Sequence, residues 1–282
     1  MAVIADAHLG TADARAVELA RYLRSIAPQT LVIAGDLVDA RALRARPLPA
    51  AHAEVLRVVL DIAQSGARVY YLSGDRDAEL RRLGDLALGS LHFRRDLTLR
   101  LDGEDYYFCH GDALDGALRY GPGASLRERL SAALRAAFGW SVDRLLGRRP
   151  RSLARELRAA GAPHPELERY VERYVEAAAR LARERECSTV VCAHVHRAAI
   201  REVEVDGAPV RYLNAGDWLG SCTALEYRFG QWSVRAYDPD DDPEPHRRLR
   251  VATPREAPTR SPHRDREGSL LAEIVRYGPT PH

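Results

Sequence analysis

Five short apolar runs in this chain are each followed, within three residues, by an aspartate or histidine side chain. Every run is four residues long, the length of a buried strand in a layered α/β fold. Segments with helical periodicity, Asp13–Ile26 and Ala50–Gln64, separate the first three runs. The pattern therefore predicts alternating strands and helices around a buried sheet. The five runs are Ala2–Ala5, Leu31–Ala34, Val69–Leu72, Tyr106–Cys109 and Val190–Ala193.

The polar clusters that follow the runs predict one shared cleft. Ligands of α/β folds bind beyond the carboxyl ends of the strands, where side chains from several strands converge. Along the chain, the step from Asp6 to Asp36 is 30 residues, the next step to Asp75 is 39 and the next to His110 is 35. Each interval is close to one strand–helix–strand unit. The clusters are Asp6-Ala7-His8, Gly35-Asp36, Gly74-Asp75-Arg76-Asp77, His110-Gly111-Asp112 and, after a longer gap, His194-Val195-His196.

These clusters contain the side chains that bind divalent metal ions. Carboxylates and imidazoles suit Mn, Zn, Fe or Mg, whereas the four cysteines of the chain lack the paired spacing of a structural zinc site. A single Asp-x-His or Gly-Asp is most often an ordinary loop. Five clusters in register at strand ends favour a metal centre, and two ions about 3.5–4 Å apart could share a carboxylate and hold a water for attack on phosphorus.

Composition narrows the class of protein further. The chain has 46% hydrophobic and 29% charged residues, as soluble globular proteins do. All 42 basic residues are arginine, but the net charge is only +2 and no basic stripe with interleaved aromatic residues is present. We therefore expect no nucleic-acid partner. The sequence shows neither a signal peptide nor an apolar stretch of 18 residues, so the expected location is cytoplasmic, with peripheral attachment to the inner membrane left open.

The long gap before the last cluster predicts a helical insertion over residues 113–186, with 15 arginines against 10 acidic residues. One interpretation is an amphipathic helix packed on the domain. The other is a lid whose groove holds acyl chains while arginines such as Arg119 contact phosphates. Alternating strands are then predicted at Val210–Leu213, Thr223–Arg228 and Trp232–Tyr237. Residues 1–237 form the expected domain, and the proline-rich, arginine-rich and acidic segment 238–282 is predicted to be a largely disordered tail.

The ordered motifs resemble those of the calcineurin-like metallophosphoesterases over residues 1–237. This resemblance implies an α/β fold, a two-sheet αββα metallophosphoesterase sandwich with a helical lid insertion. Within the superfamily, the chain is similar to the UDP-2,3-diacylglucosamine pyrophosphatase (hydrolase) group. Asp6-Ala7-His8-Leu9-Gly10 matches the opening of that group, Arg76 replaces the histidine of most of the superfamily, and His110-Gly111-Asp112 replaces the usual Gly-His.

The resemblance also implies roles for individual residues. It implies catalytic contributions from Asp36, Arg76, Asp77 and Asp112, and substrate contacts from Arg76 and Arg119. Asp75 stands where the family has asparagine, and a carboxylate can ligate a metal but cannot donate a hydrogen bond to phosphate. We therefore expect tighter metal binding and weaker attraction for phosphate. The implied metal ligands are Asp6, His8 and His196 for one ion, Asp75, His110 and His194 for the second, and Asp36 as the bridge.

The expected function is the hydrolysis of a phosphoanhydride by two divalent ions, with Mn²⁺ as the leading candidate and Zn, Fe or Mg as alternatives. The resemblance implies UDP-2,3-diacylglucosamine as the lipid-linked nucleotide-sugar substrate, with UMP and 2,3-diacylglucosamine 1-phosphate as products of the lipid A pathway. One alternative is a phosphodiesterase or phosphatase acting on another nucleotide or on a phosphoprotein. A second is an inactive binding scaffold with the same fold.

Overall fold

The computed structural model describes residues 1–120 and 165–238. Two sheets lie face to face with helices on their outer sides, which confirms the predicted αββα sandwich. The elements in chain order are β1 (Ala2–Ile4), α1 (Ala16–Ser25), β2 (Thr30–Ala34), α2 (Ala40–Ala45), α3 (Ala50–Gln64), β3 (Arg68–Leu72), a 3-10 helix (Ala78–Leu83), β4 (Ala87–Leu88), β5 (Leu91–Arg94), β6 (Asp96–Leu101), β7 (Glu104–Cys109), α4 (Ala113–Tyr120), α5 (Pro165–Glu184), β8 (Thr189–Cys192), β9 (Ala199–Val205), β10 (Ala208–Asn214), β11 (Thr223–Arg228) and β12 (Gln231–Ala236).

Each sheet has a parallel centre. The seven-stranded sheet has the order β12-β11-β1-β2-β3-β5-β4, and the five-stranded sheet has the order β6-β7-β8-β10-β9. Strands β1, β2, β3 and β5 run parallel in the first sheet, as β7, β8 and β10 do in the second. The carboxyl ends of the central strands therefore meet at one edge of each sheet, where the polar clusters begin.

The core follows from the alternation of side chains along the strands. Val3 and Val32 pack between the sheets with Phe108 and Val191 from the opposite sheet. Their neighbour Ile4 faces the other way, into the cluster that includes residues of α1 and α3. Because successive strand residues point to opposite faces, the continuous apolar runs fill two layers of core at once.

Helix α5 covers the outer face of the second sheet. Its apolar residues recur at helical spacing and pack on β8 and β10. Helix α5 is therefore part of the sandwich, although it lies within the predicted insertion over residues 113–186. Residues 121–164, which contain most of the predicted lid, lie outside the described residues. The buried residues of α5 are Leu167, Tyr170, Val171, Tyr174, Val175, Ala178, Ala179 and Ala182.

Within residues 1–120 and 165–238, the predicted strands and the two predicted helices before Gly66 are confirmed with small shifts at their ends. All five apolar runs are strands, α3 has its predicted bounds, and α1 begins at Ala16 instead of Asp13. Strands β4, β5, β6 and β9, helix α2 and the 3-10 helix were not predicted, because most of their residues are exposed or only half-buried and the hydrophobic signal is weak. The predicted tail lies outside the described residues except for Asp238. No helix among the described residues is long and apolar enough to cross a membrane.

Candidate metal centre

The backbone turns sharply at the ends of the strands that carry the predicted ligands. Five of the predicted ligands adopt positive φ angles, a region that side chains other than glycine rarely enter. Such conformations cost energy and cluster at functional sites, where the surrounding structure holds them in place. The five are Asp6 (φ 51°), His8 (46°), Asp36 (52°), His194 (67°) and His196 (52°).

Two glycines allow the loops of the site to approach each other. A Cβ atom at Gly74 would overlap Oδ1 and the backbone nitrogen of Asp36. A Cβ atom at Gly35, which has a φ of +89°, would overlap the ring of His110. The Gly-Asp pattern at these two strand ends thus reflects a steric requirement of the cleft.

Asp6, His8 and His196 form the first group of candidate ligands. Oδ1 of Asp6 lies 3.7 Å from Nε2 of His8 and 3.6 Å from Nε2 of His196. Both Oδ1 of Asp6 and Nε2 of His8 are buried and have no hydrogen-bond partner within the described ranges. Buried polar atoms without partners are costly, so their convergence fits a bound cation.

Asp75, His110 and His194 form the second group. Oδ1 of Asp75 lies 3.5 Å from Nε2 of His110 and 3.5 Å from Nδ1 of His194. The two ring nitrogens are 3.3 Å apart. Behind this group, Nδ1 of His110 donates to the carbonyl oxygen of Ala34 at 2.8 Å, which leaves Nε2 facing the site.

Asp36 lies between the two groups. Its Oδ2 atom is 3.8 Å from Nε2 of His8 and 3.6 Å from Nε2 of His110, one histidine from each group. Its Oδ1 atom accepts a hydrogen bond of 2.8 Å from the backbone N–H of Arg76. This bond fixes the orientation of the carboxylate, as hydrogen bonds to the outer side of metal ligands do.

The pKa shifts follow from burial and from charges close together. Burial lowers the pKa of His8 to about 4, against the opposing effect of Asp6. Burial also raises the pKa of Asp36 well above its usual value, and the neighbouring carboxylates of Asp75 and Asp6 add to the rise. Burial acts against a charged His194, but hydrogen bonds to Asp115 and Asp75 outweigh it and raise the pKa to about 10. The carboxylates around His194 thus favour positive charge on that side of the site, whereas burial keeps the ring of His8 neutral.

Arg76 lies beside the second group, as its position in the sequence predicts. The side chain is 8% exposed. Its Nε atom lies 3.4 Å from Oδ2 of Asp75, and its Nη1 atom lies 4.0 Å from Oδ2 of Asp39. A guanidinium group at this point can bind a phosphate oxygen next to the metal ligands.

Three further residues that the sequence predicted for the site belong to neither of the two ligand groups. Asp77 is buried and accepts hydrogen bonds of 2.6 Å from the hydroxyl of Tyr71 and 2.6 Å from the N–H of Gly74, so that it shapes the turn before Arg76. Asp112 accepts a hydrogen bond of 2.7 Å from Arg81. Arg119 belongs to α4, and its side chain lies outside the described part of the structure.

Several residues of the site were not predicted as site residues. Asp39 pairs with Arg76, and Oδ2 of Asp115 lies 3.1 Å from Nε2 of His194. Oδ2 of Asp217 lies 3.6 Å from Nδ1 of His196. The side-chain amide of Asn214 donates a hydrogen bond of 2.9 Å to the carbonyl oxygen of Ala193, directly before His194. Asn214 is the only asparagine in the chain, and that was the sequence signal for this residue.

An αββα sandwich with aspartate and histidine groups at its strand ends is the architecture of a metal-dependent phosphoester hydrolase. The chain belongs to the calcineurin-like phosphoesterase family, whose family model matches residues 1–198. This family uses divalent metal ions, and both candidate ligand groups fit them.

Similar proteins narrow the class further. A UDP-2,3-diacylglucosamine hydrolase of Aeromonas hydrophila is 29% identical over 226 residues, which cover 76% of this chain and 88% of that protein. The UDP-2,3-diacylglucosamine hydrolase of Ectopseudomonas mendocina is 28% identical, with 70% and 80% covered. That of Stenotrophomonas maltophilia is 29% identical, with 82% and 96% covered.

Proposed function

We propose that this chain hydrolyses the phosphoanhydride of UDP-2,3-diacylglucosamine and releases UMP and 2,3-diacylglucosamine 1-phosphate. The position of Asp36 is the observation on which the proposal depends most. Its Oδ2 atom lies within 3.8 Å of one histidine from each ligand group. A carboxylate at this position could be a ligand to both ions of a dinuclear centre. The substrate is proposed from the names of the similar proteins.

In the proposed centre, Asp6, His8 and His196 would hold one ion, Asp75, His110 and His194 would hold the second, and Asp36 would be a ligand to both. The ion we propose is Mn²⁺. Divalent ions in this position supply Lewis acidity, which stabilises negative charge on phosphate oxygens and makes a water molecule more acidic.

The protein groups then orient the substrate. Arg76 binds an oxygen of the phosphate that is attacked, since its guanidinium group is buried beside Asp75. In this role it takes the place of a proton-donating histidine. A phosphate leaving group is already a stable anion and needs little protonation, so a diphosphate substrate suits a site with arginine at this position.

Asp77 and Asp112 support Arg76 and the loop around it. Asp77 closes the turn from Gly74 to Arg76, and Asp112 holds Arg81, whose NH2 group also donates to the carbonyl of Gly74 at 3.1 Å. We therefore assign both carboxylates to the positioning of the loop that carries Asp75 and Arg76.

We also propose roles for the helical insertion and the membrane surface, and a disordered state for the tail. We propose that the catalytic domain comprises residues 1–237 and that the helical insertion binds the acyl chains, with Arg119 as a phosphate contact. An acylated substrate resides in a lipid surface, so the enzyme would act at the inner face of the membrane from the cytoplasmic side. Residues 238–282 are proposed to be a disordered tail.

The proposal is tested by incubating the purified, metal-free chain with UDP-2,3-diacylglucosamine, with and without added Mn²⁺, and measuring UMP. We expect UMP release that depends on Mn²⁺ and is lost in Asp36→Asn. Hydrolysis of a model phosphodiester without hydrolysis of the acylated UDP-sugar would support a phosphodiesterase instead. Tight metal binding without hydrolysis of either compound would support a binding scaffold.

A further inference from the structure

His194 lies between carboxylates from two different elements. Its Nδ1 atom faces the second ligand group, 3.5 Å from Oδ1 of Asp75 and 3.3 Å from Nε2 of His110. Its Nε2 atom faces the other way and lies 3.1 Å from Oδ2 of Asp115 in α4. The side chain of His194 is only 4% exposed, so this contact is shielded from solvent.

The acceptor behind each histidine decides which ring nitrogen carries the proton. The carbonyl oxygen of Ala34 can only accept, so Nδ1 of His110 must donate. An ionised Asp115 likewise accepts the proton of Nε2 of His194. In their neutral forms, the two rings then present unprotonated nitrogens to the carboxylate of Asp75, which is the arrangement that a cation requires.

Asp115 is itself held in place by a second helix. The hydroxyl of Tyr170 in α5 donates to Oδ1 of Asp115, while Oδ2 faces His194. Tyr170 is buried in the core cluster that joins α4 and α5 to the second sheet. The carboxylate is therefore oriented by the packing of two helices, not by the loops that carry the ligands.

We propose that Asp115 is a positioning residue for the second metal ion. It keeps the proton of His194 on Nε2, directs Nδ1 toward the ion and increases the basicity of the ring. This inference rests on the dinuclear centre proposed above. Loss of such a carboxylate behind a ligating histidine typically costs about 10–100-fold in metal affinity.

The experiment is a titration of the metal-free chain with Mn²⁺, in which calorimetry and electron paramagnetic resonance resolve the first and second equivalents. In Asp115→Leu, we expect the second equivalent to bind about 10–100-fold more weakly while the first is unchanged. Asp115→Asn keeps the size of the side chain and an acceptor, and we expect an intermediate loss. Tyr170→Phe should weaken the second equivalent by a smaller factor, because Asp115 remains but is less constrained.

The matched control is Glu176→Gln, which removes an exposed carboxylate from α5 and should leave both equivalents unchanged. Wild-type affinity for both equivalents in Asp115→Leu and Asp115→Asn would overturn the inference but leave the dinuclear centre intact. An equal loss at both equivalents would also overturn it, because that is the effect of general damage to the fold. Fewer than two equivalents bound by the wild-type chain would overturn the dinuclear centre itself, and the inference with it.

Discussion

The Oδ2 atom of Asp75 lies 3.4 Å from Nε of Arg76, so two neighbours in the sequence form an ion pair at the edge of the candidate metal centre. Asp39 also faces this guanidinium group, and its Oδ2 atom lies 4.0 Å from Nη1 of Arg76. Both carboxylates compete with a substrate phosphate for Arg76. Asp75 therefore affects two processes at once, because it faces the ligand group with Oδ1 and the arginine with Oδ2.

Asp75→Asn separates these two effects. The amide retains an oxygen ligand but removes one negative charge, so we expect Mn²⁺ to bind about tenfold more weakly at the second equivalent. Arg76 loses a competing carboxylate and the amide gains donors for phosphate, so the KM for the substrate should fall. Metal titration and steady-state kinetics check the two effects. Unchanged metal content together with unchanged turnover would show that the prediction is wrong.

Arg76→Ala should reduce kcat/KM by about 10²–10³-fold, because the site loses a buried charge that stabilises the phosphate. Arg76→Lys should recover only part of this loss, since an ammonium group lacks the planar fork of donors. Metal content, measured by elemental analysis, should stay at the wild-type level in both variants. The control is Arg82→Ala, which removes an exposed arginine from the nearby 3-10 helix and should retain wild-type kinetics.

Gly74→Ala tests the close approach of the loops. The added Cβ would overlap Asp36, and we expect a loss of about 1–3 kcal/mol in the free energy of unfolding together with weaker metal binding. Gly220→Ala is the matched control, because its Cβ would meet no atom within 4 Å. Chemical unfolding and metal titration of both variants give the comparison. Equal behaviour of the two variants would contradict the steric requirement.

His52 should make stability depend on pH. Nδ1 of His52 accepts a hydrogen bond of 2.8 Å from the N–H of Gly10, next to the first ligand loop, and burial lowers the pKa of His52. The neutral ring is therefore favoured in the folded state, whereas the unfolded chain takes up a proton near the ordinary pKa of about 6.5. The contribution of the neutral His52 ring to the free energy of unfolding is therefore fully present above that pH. It is lost as the pH falls through the lower pKa of the folded state.

His52→Gln removes this titration. Urea unfolding of both proteins between pH 8 and pH 5 should show a smaller decrease in the free energy of unfolding for the variant. Parallel curves for the two proteins across this range would contradict the assignment.

Deletion of residues 124–162 tests the lid hypothesis. If this segment binds acyl chains, the deletion should abolish hydrolysis of the acylated UDP-sugar but spare a small chromogenic phosphodiester. Parallel assays with the two substrates provide the measurement. An equal loss on both substrates would instead favour the interpretation as a helix packed on the domain.

Local patterns in the sequence predicted most of the sandwich. A run such as Leu31–Ala34 is apolar on both faces and short, which is sufficient to indicate a buried strand. The candidate ligands could be predicted because Asp6, His110 and His194 each follow such a run directly. The same reasoning missed β4, β5, β6 and β9, because strands whose residues are largely exposed or half-buried have no continuous apolar pattern.

The sequence alone determined which residues lie at the carboxyl ends of the parallel strands, and with them the family and the set of candidate ligands. Only the tertiary structure decided which groups support those ligands. Asp115 and His194 are 79 residues apart in the sequence, and Asp39 meets Arg76 only because two loops pack together. The spacing of apolar residues along a helix or strand indicates which of its faces is buried. Contacts between polar side chains depend instead on how elements that are distant in the sequence pack together.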